Sequence, residues 1–299
     1  PINIKYGNLL TSKEFAHNPL IGRKKEMRKM CALLMDEEKS LIIHGKPGVG
    51  KTALINGLAY NIIEGTAPTP LKDAKIIEIT GTEIVSGCKL VGMIEERMQE
   101  ILDEVMRIDN AILFIDEIHT LIGLGAGSND NNDVSNILKP YLGNGGIKII
   151  GATTTEEYKK IIESGAFARR FNGEEIPIPT EREVLEILQA LITRYKETKN
   201  IGFFKSHEEE QAILNLIIEF SNRKNPNVVL NKELYNPDLA LTILRNGYNF
   251  AMLDNLGALD VHHLIEGVES MDYYRERAKQ EFKEKALALT RTNSNIHLV

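Results

Sequence analysis

The sequence predicts an α/β protein: a mostly parallel sheet sandwiched by helices, followed by a small all-helical domain. Three observations lead there. Short apolar, β-branched runs alternate with helix-length segments up to about residue 180, the pattern of strands joined by crossover helices. A glycine-rich turn separates the first such run from the helical segment after it. Near Thr180 the strand signal stops, and only amphipathic helical spacing continues.

The first strand is predicted at "SLIIH" (residues 40–44). It leads directly into the turn Gly45-Lys46-Pro47-Gly48-Val49-Gly50 and a helix over Lys51–Glu64. "AKIIEIT" (74–80), "AILFID" (111–116), "GIKIIGAT" (146–153) and "EEIPIP" (174–179) supply the other strands, with helices over Val91–Arg107 and Val134–Leu142 among them. The polar stretch "GAGSNDNND" (125–133) reads as a loop. "TEREVLEILQALITRYKE" opens with Thr180 and Glu183 at capping-box spacing and then runs amphipathic. Further helices are expected around 207–222, 237–253 and 259–290, with a frayed tail at the end. The two domains are therefore residues 1–180 and 181–299.

Composition narrows the function. Apolar residues make up 42% and charged residues 26% of 299, enough for two packed domains. No run of about 18 apolar residues occurs, so no transmembrane helix is expected. "PINIKYGNLL" lacks the basic flank and apolar core of a secretion signal. Cys31 and Cys88 stand in no metal-ligand spacing and suit a reducing compartment. The protein reads as cytoplasmic, with no membrane partner. A net charge of −6 argues against nucleic acid, whose binding draws on Lys and Arg. The absence of Trp and an aromatic content of 6% argue against a stacking platform for single strands.

The turn carries the first chemical signal. G-x-x-x-x-G-K-T, from Gly45 to Thr52, between a strand and a helix, is a phosphate cradle. Gly45, Gly48 and Gly50, with Pro47, Val49 and Ala53 around them, bring backbone N–H groups to an anion at a helix N-terminus. Lys51 would reach the β- and γ-phosphates of a nucleoside triphosphate, and Thr52 would ligate Mg2+. "AILFIDEIH" supplies the partners: Asp116 at the end of a buried strand for the metal, and Glu117 as general base toward the attacking water. Thr154, after the strand "IKIIGATTT", is placed to hydrogen-bond the γ-phosphate or that water. Arg169 and Arg170, in "SGAFARRF", are adjacent cations able to stabilise charge on a transferring phosphoryl group.

In their order these elements resemble the first ATPase module of Clp-type AAA+ unfoldases and disaggregases, over nearly the whole chain. "KYGNLLTSKEFAHNPLIGR" is similar to the family's entry segment: Pro19, Ile21, Gly22 and Arg23 match it, whereas Asn18 replaces an Asp. "GKPGVGKTALINGLA", "ILFIDEIHTLIG", "DVSNILKPYL", "GATTTEEYKKIIE" and "FARRF" follow at the expected positions. The resemblance implies a P-loop AAA+ core with a helical lid, Mg2+-dependent hydrolysis of ATP, and nucleotide contacts from Ile21, Pro237 and Asp238. It also implies that Arg169 and Arg170 act on the nucleotide of a neighbouring copy, in a homo-oligomeric ring normally of six. A G-A-R arginine signature, found on the lids of other modules, is absent.

One departure concerns the pore. The family grips polypeptide with a K-Y-x-G loop; here Lys89 and Gly92 are kept, Leu90 stands for the Tyr, and Val91 follows. Leucine keeps apolar contact without the flat ring, so the grip is weaker or tuned to a different substrate, or else the pore threads nothing and Leu90 packs locally. The family's receptor domain, coiled-coil domain and second ATPase module are not in this sequence. A proline at position 1, as left by removal of an initiator Met, favours a stand-alone ring over an excised module. Ile201-Gly202-Phe203 resembles a peptidase-docking triplet, but its early position in the lid favours an apolar turn between two helices. His119, His262 and His263 form no ligand set.

The expected function is a ring-forming ATPase that remodels proteins by threading them, with a protein substrate or adaptor as partner. A nucleotide-switched scaffold that recruits partners without threading is the alternative, and a nucleic-acid loader the less favoured one.

Overall fold

The structure, a computed structural model, describes residues 5–122, 137–142, 146–163, 168–203, 206–223, 233–255 and 257–294. The expected loop at 125–133, the first part of the expected helix Val134–Leu142 and the end of the tail lie outside them. The chain divides into two compact units: Pro1–Lys46 with Gly50–Ile176, and Pro47–Val49 with Pro177–Val299.

The first unit holds a six-stranded sheet. Its strands are β1 (Asn8–Leu9), β2 (Ser40–His44), β3 (Lys75–Thr80), β4 (Ala111–Asp116), β5 (Lys148–Thr153) and β6 (Phe171–Glu175), in the order β1-β3-β4-β5-β2-β6. All pairs are parallel except β1 with β3, which is antiparallel. Helices α1 (Lys24–Leu34), α2 (Lys51–Ile63), α3 (Gly81–Val85), α4 (Val91–Val105) and α5 (Thr155–Glu163) surround it. Ile77 and Ile79 of β3 and Leu113 and Ile115 of β4 share a buried core with Ile94, Met98, Ile101 and Leu102 of α4. Successive side chains on a strand point to opposite faces, so alternate residues of β3 and β4 serve this one core. Central strands buried on both faces read as continuous apolar runs, which is why β2, β4 and β5 are plain in the sequence.

The last strand corrects the sequence reading. It lies at Phe171–Glu175, not 174–179, with Ser40 opposite Phe171 and His44 opposite Glu175. The Ile176 amide still donates to the His44 carbonyl at 2.7 Å. Pro177 and Pro179 then follow, and proline has no N–H for the ladder.

The second unit, taken by itself, is built on α6 (Glu181–Lys199), α7 (His207–Ser221), α8 (Asp238–Leu253), α9 (Val261–Glu269) and α10 (Glu276–Ser294). Phe220, Tyr248 and Phe282 are its largest buried side chains. α6 opens with the full capping box: the Glu183 amide donates to Thr180 Oγ1 and the Thr180 amide to Glu183 Oε2. The single helical stretch expected at 259–290 is two helices. The unit is also not all-helical: Gly202–Phe203 forms a short strand, β7, parallel to β8 (Ala258–Leu259). Ile201 and Phe203 are buried in the core, and Gly202–Phe203 is a paired strand rather than a turn between helices.

Candidate active site

The phosphate turn takes its shape from the two elements it joins. β2 ends at His44, α2 begins at Lys51, and Gly48 and Gly50 adopt φ of 76° and 100°, left-handed conformations that suit glycine. The N-terminus of α2 therefore faces the turn with unpaired amides and the positive end of its dipole. Lys51 Nζ donates to the carbonyls of Gly45 at 3.0 Å and Lys46 at 3.2 Å. Burial pushes the Lys51 ammonium below its ordinary value, and Asp116 opposes that shift. Next to it, Thr52 Oγ1 donates to Asp116 Oδ2 at 3.0 Å. Ala53 is half-buried in the same first turn of α2, while Leu54 and Ile55 behind it are in the core.

Glu117 follows as an exposed residue in a left-handed conformation, φ 53°. This strained backbone turns the chain off the end of β4. It is held by the Glu117 amide donating to Asp116 Oδ1 at 2.9 Å and by Thr120 Oγ1 donating to the Glu117 carbonyl at 2.9 Å. Gly81, the first residue of α3, lies against this turn. An added Cβ would stand 2.2 Å from Thr120 Oγ1 and 2.8 Å from the Glu117 carbonyl oxygen.

Thr154 follows β5 and caps α5: its Oγ1 accepts the Glu157 amide at 3.2 Å and keeps its own proton to donate. Three contacts tie α5 to the strand and turn. The His44 ring stacks on Tyr158 at 3.9 Å, His44 Nδ1 lies 3.4 Å from Thr155 Oγ1, and Lys46 Nζ pairs with Glu156. Burial is the largest effect on His44 and holds its imidazole below the usual value. His119 bonds through Nδ1 with Thr153 Oγ1 at 3.0 Å. Arg169 is exposed and Arg170 half-buried in the single turn before β6.

The geometry thus brings Gly45, Lys51, Thr52, Asp116 and Glu117 to one end of the parallel strands. Ile21 is half-buried, one residue after Leu20, which packs on Gly57 of α2. In the second unit, which includes Pro47, Gly48 and Val49, the Asp238 amide donates to the Gly48 carbonyl at 3.3 Å and Pro237 precedes α8. Lys89 and Leu90 are exposed and Val91 half-buried. Leu90 is 70% exposed at the start of α4, so it does not pack locally within the chain. Among the described residues no three His, Cys, Asp or Glu side chains gather as a metal cluster, and no helix is long and apolar enough to cross a membrane.

The family model of ATPases associated with various cellular activities (AAA) matches residues 41–176. The chain carries a AAA ATPase module of the Clp type. The module is 41% identical over 207 residues to chaperone protein ClpB of Mycoplasmoides gallisepticum, covering 67% of this chain and 29% of that protein. It is 42% identical over 187 residues to the negative regulator of genetic competence ClpC/MecB of Bacillus subtilis, covering 62% and 23%. Among solved structures, the S. cerevisiae Hsp104–ADP complex matches with a TM-score of 0.70 and 32% identity, over 88% of this chain and 44% of that one. Hsp104 with ATPγS and FITC casein matches with a TM-score of 0.71 and 33% identity, at the same coverage. The Clp-type module spans less than a third of these curated relatives and less than half of the Hsp104 chain. Sequence reasoning passed over Gly81 and the His44–Tyr158 pair. A glycine set between a strand and a helix was the only available signal for the first.

Proposed function

We propose that the module is an ATP-driven motor that remodels polypeptide by pulling it past the loop centred on Leu90. Lys51 and the turn amides hold the triphosphate. The Thr52 hydroxyl and the Asp116 carboxylate are hard oxygen donors at hydrogen-bonding distance, a set that suits Mg2+. When bound, that ion supplies charge neutralisation at the phosphate oxygens. Glu117 orients and deprotonates the attacking water, Thr154 donates a hydrogen bond to the γ-phosphate or the water, and the exposed Arg169 with Arg170 completes the site of a neighbouring copy in a ring of six.

One observation carries this reading. Gly81 packs on the turn that bears Glu117, and the five-residue α3 runs from it toward a loop whose tip, Leu90, is 70% exposed. A shift of the carboxylate turn during hydrolysis therefore has a short path to an apolar side chain in solvent. The likeness to Hsp104 solved with FITC casein supports a polypeptide as the client.

The experiment compares wild type, Leu90→Tyr and Leu90→Ala in unfolding a tagged test protein, with crosslinking from position 90 to bound peptide. Tyr should raise unfolding and Ala lower it, because the remaining methyl buries little apolar surface, with basal ATPase nearly constant. Absence of both crosslink and unfolding while ATP is hydrolysed would replace threading with the nucleotide-switched scaffold.

A further inference from the structure

We propose that Arg97 is the positioning residue of the Leu90 loop, bracing its base so that the tip stands out from the sheet. The part concerning polypeptide rests on the threading reading; the part concerning loop geometry does not.

A helix of five residues leaves nearly all its terminal carbonyls without intrahelical partners. At the C-terminal end of α3, Arg97 Nη1 reaches three carbonyls at once: Ile84 at 2.6 Å, Ser86 at 3.1 Å and Glu83 at 3.2 Å. A cation is also favoured there by the dipole of the turn. The Arg97 side chain starts from α4, two turns beyond Leu90 in the chain, so it closes the loop from the far side. The same guanidinium lies over the Tyr6 ring, 5.1 Å from its centroid. Tyr6 belongs to the segment whose next residues form β1 against β3, and Lys5 pairs with Glu100 of α4 at 2.9 Å. Within the loop, the Cys88 amide donates to the Val85 carbonyl at 3.0 Å, and both side chains pack on the core. Lys89 and Leu90 then leave it and are exposed. The base is thus held from three directions while the tip is bare, the form needed for a pull on Leu90 to reach the sheet rather than be lost in the loop. The hydrogen bonds and ring contact of Arg97 fall on Glu83, Ile84, Ser86 and Tyr6, apart from the residues that form the nucleotide site.

Trypsin reads the geometry because its exposed cleavage point, Lys89–Leu90, stands between the base that Arg97 holds and the start of α4, and cutting needs several residues on each side to open locally into the protease cleft. In the full chain with saturating ATP, Arg97→Ala should speed cleavage at Lys89 about tenfold or more, the scale of losing charge-assisted hydrogen bonds. Arg97→Lys, which keeps a charge and three donors but not the planar fork, should fall between. Tyr6→Leu, which leaves the three carbonyl bonds in place, should give a smaller rise and guards against a variant that fails to fold. ATP affinity and basal turnover should stay within about twofold of wild type, as expected for a residue outside the nucleotide site. With α-casein as probe, the concentration that half-stimulates ATPase should rise several-fold in Arg97→Ala and recover in part in Arg97→Lys. Equal cleavage at Lys89 in wild type and all three variants would overturn the brace. Faster cleavage with no casein effect in any protein, wild type included, would keep the brace and overturn threading alone.

Discussion

A single methyl added at Gly81 tests whether the carboxylate turn and the helix that leads to the loop move as one body. In Gly81→Ala the Cβ would lie 2.2 Å from Thr120 Oγ1, 2.8 Å from the Glu117 carbonyl oxygen and 3.4 Å from that of Asp116. The hydroxyl can swing aside, giving up its 2.9 Å bond to the Glu117 carbonyl, a loss of about 0.5–1.5 kcal/mol. The carbonyl cannot swing, because it belongs to backbone already held at φ 53°. Relief must come from displacing the turn or α3, and overpacking of this kind costs ~1–3 kcal/mol. The two effects together amount to roughly 1.5–4.5 kcal/mol of stability, read as a lower urea midpoint. In steady-state assays the cradle around Lys51 is untouched, so KM for ATP should hold while kcat falls about ten- to a hundredfold, the scale of misplacing a reacting group. Adding Thr120→Ala removes the 2.2 Å contact and leaves the 2.8 Å one; it should restore part of the stability and little of kcat. A Gly81→Ala protein with wild-type midpoint and kcat would refute the mechanical link between turn and helix.

Three other perturbations have defined outcomes. Glu117→Gln should bind ATP normally and hydrolyse it at least about a hundredfold more slowly, whereas Lys51→Ala should lose binding, both read by nucleotide titration beside turnover; wild-type turnover in Glu117→Gln would remove the base assignment. Arg169→Ala or Arg170→Ala should lower turnover but not ATP binding, and mixing either with Lys51→Ala should restore some activity; full activity of a monomer at high dilution would exclude action between copies. Burial lowers the His44 pKa from 6.5 despite Glu175 and Glu174, with Lys51 adding to the shift. The unfolded chain then takes up the proton first, so stability should fall as pH drops from about 6.5 toward the lower folded value. His44→Phe, which keeps a ring on Tyr158, should flatten that part of the thermal stability profile, and an unchanged profile would show that His44 does not titrate with unfolding.

What the sequence disclosed depended on how far each determinant lies along the chain. The phosphate turn, Asp116, Glu117 and the capping box at Thr180 are local patterns, and their spacing alone marks the first three as candidates for the site and the last as a helix start. β6 was misplaced because Phe-Asn-Gly-Glu-Glu has neither alternation nor a β-branched run. It is a strand because β2 lies beside it, and Gly173 leaves room for the Tyr158 hydroxyl, which an added Cβ would approach to 1.7 Å. β7 escaped notice because its partner, Ala258–Leu259, is another helix pair away. The links between site and loop were hidden in the same way. Gly81 and Arg97 are ordinary residue types, and only their neighbours make them matter. Yet α3 cannot transmit motion by its own stiffness, since a five-residue helix has orphan groups at both ends. It can do so only if each end is gripped. Gly81 sits on the Glu117 turn at one end, and Arg97 holds the Glu83, Ile84 and Ser86 carbonyls at the other. Loosening either grip should therefore uncouple Leu90 from hydrolysis in different ways: Gly81→Ala by slowing the chemistry itself, Arg97→Ala by leaving the chemistry intact and its motion unspent on the polypeptide.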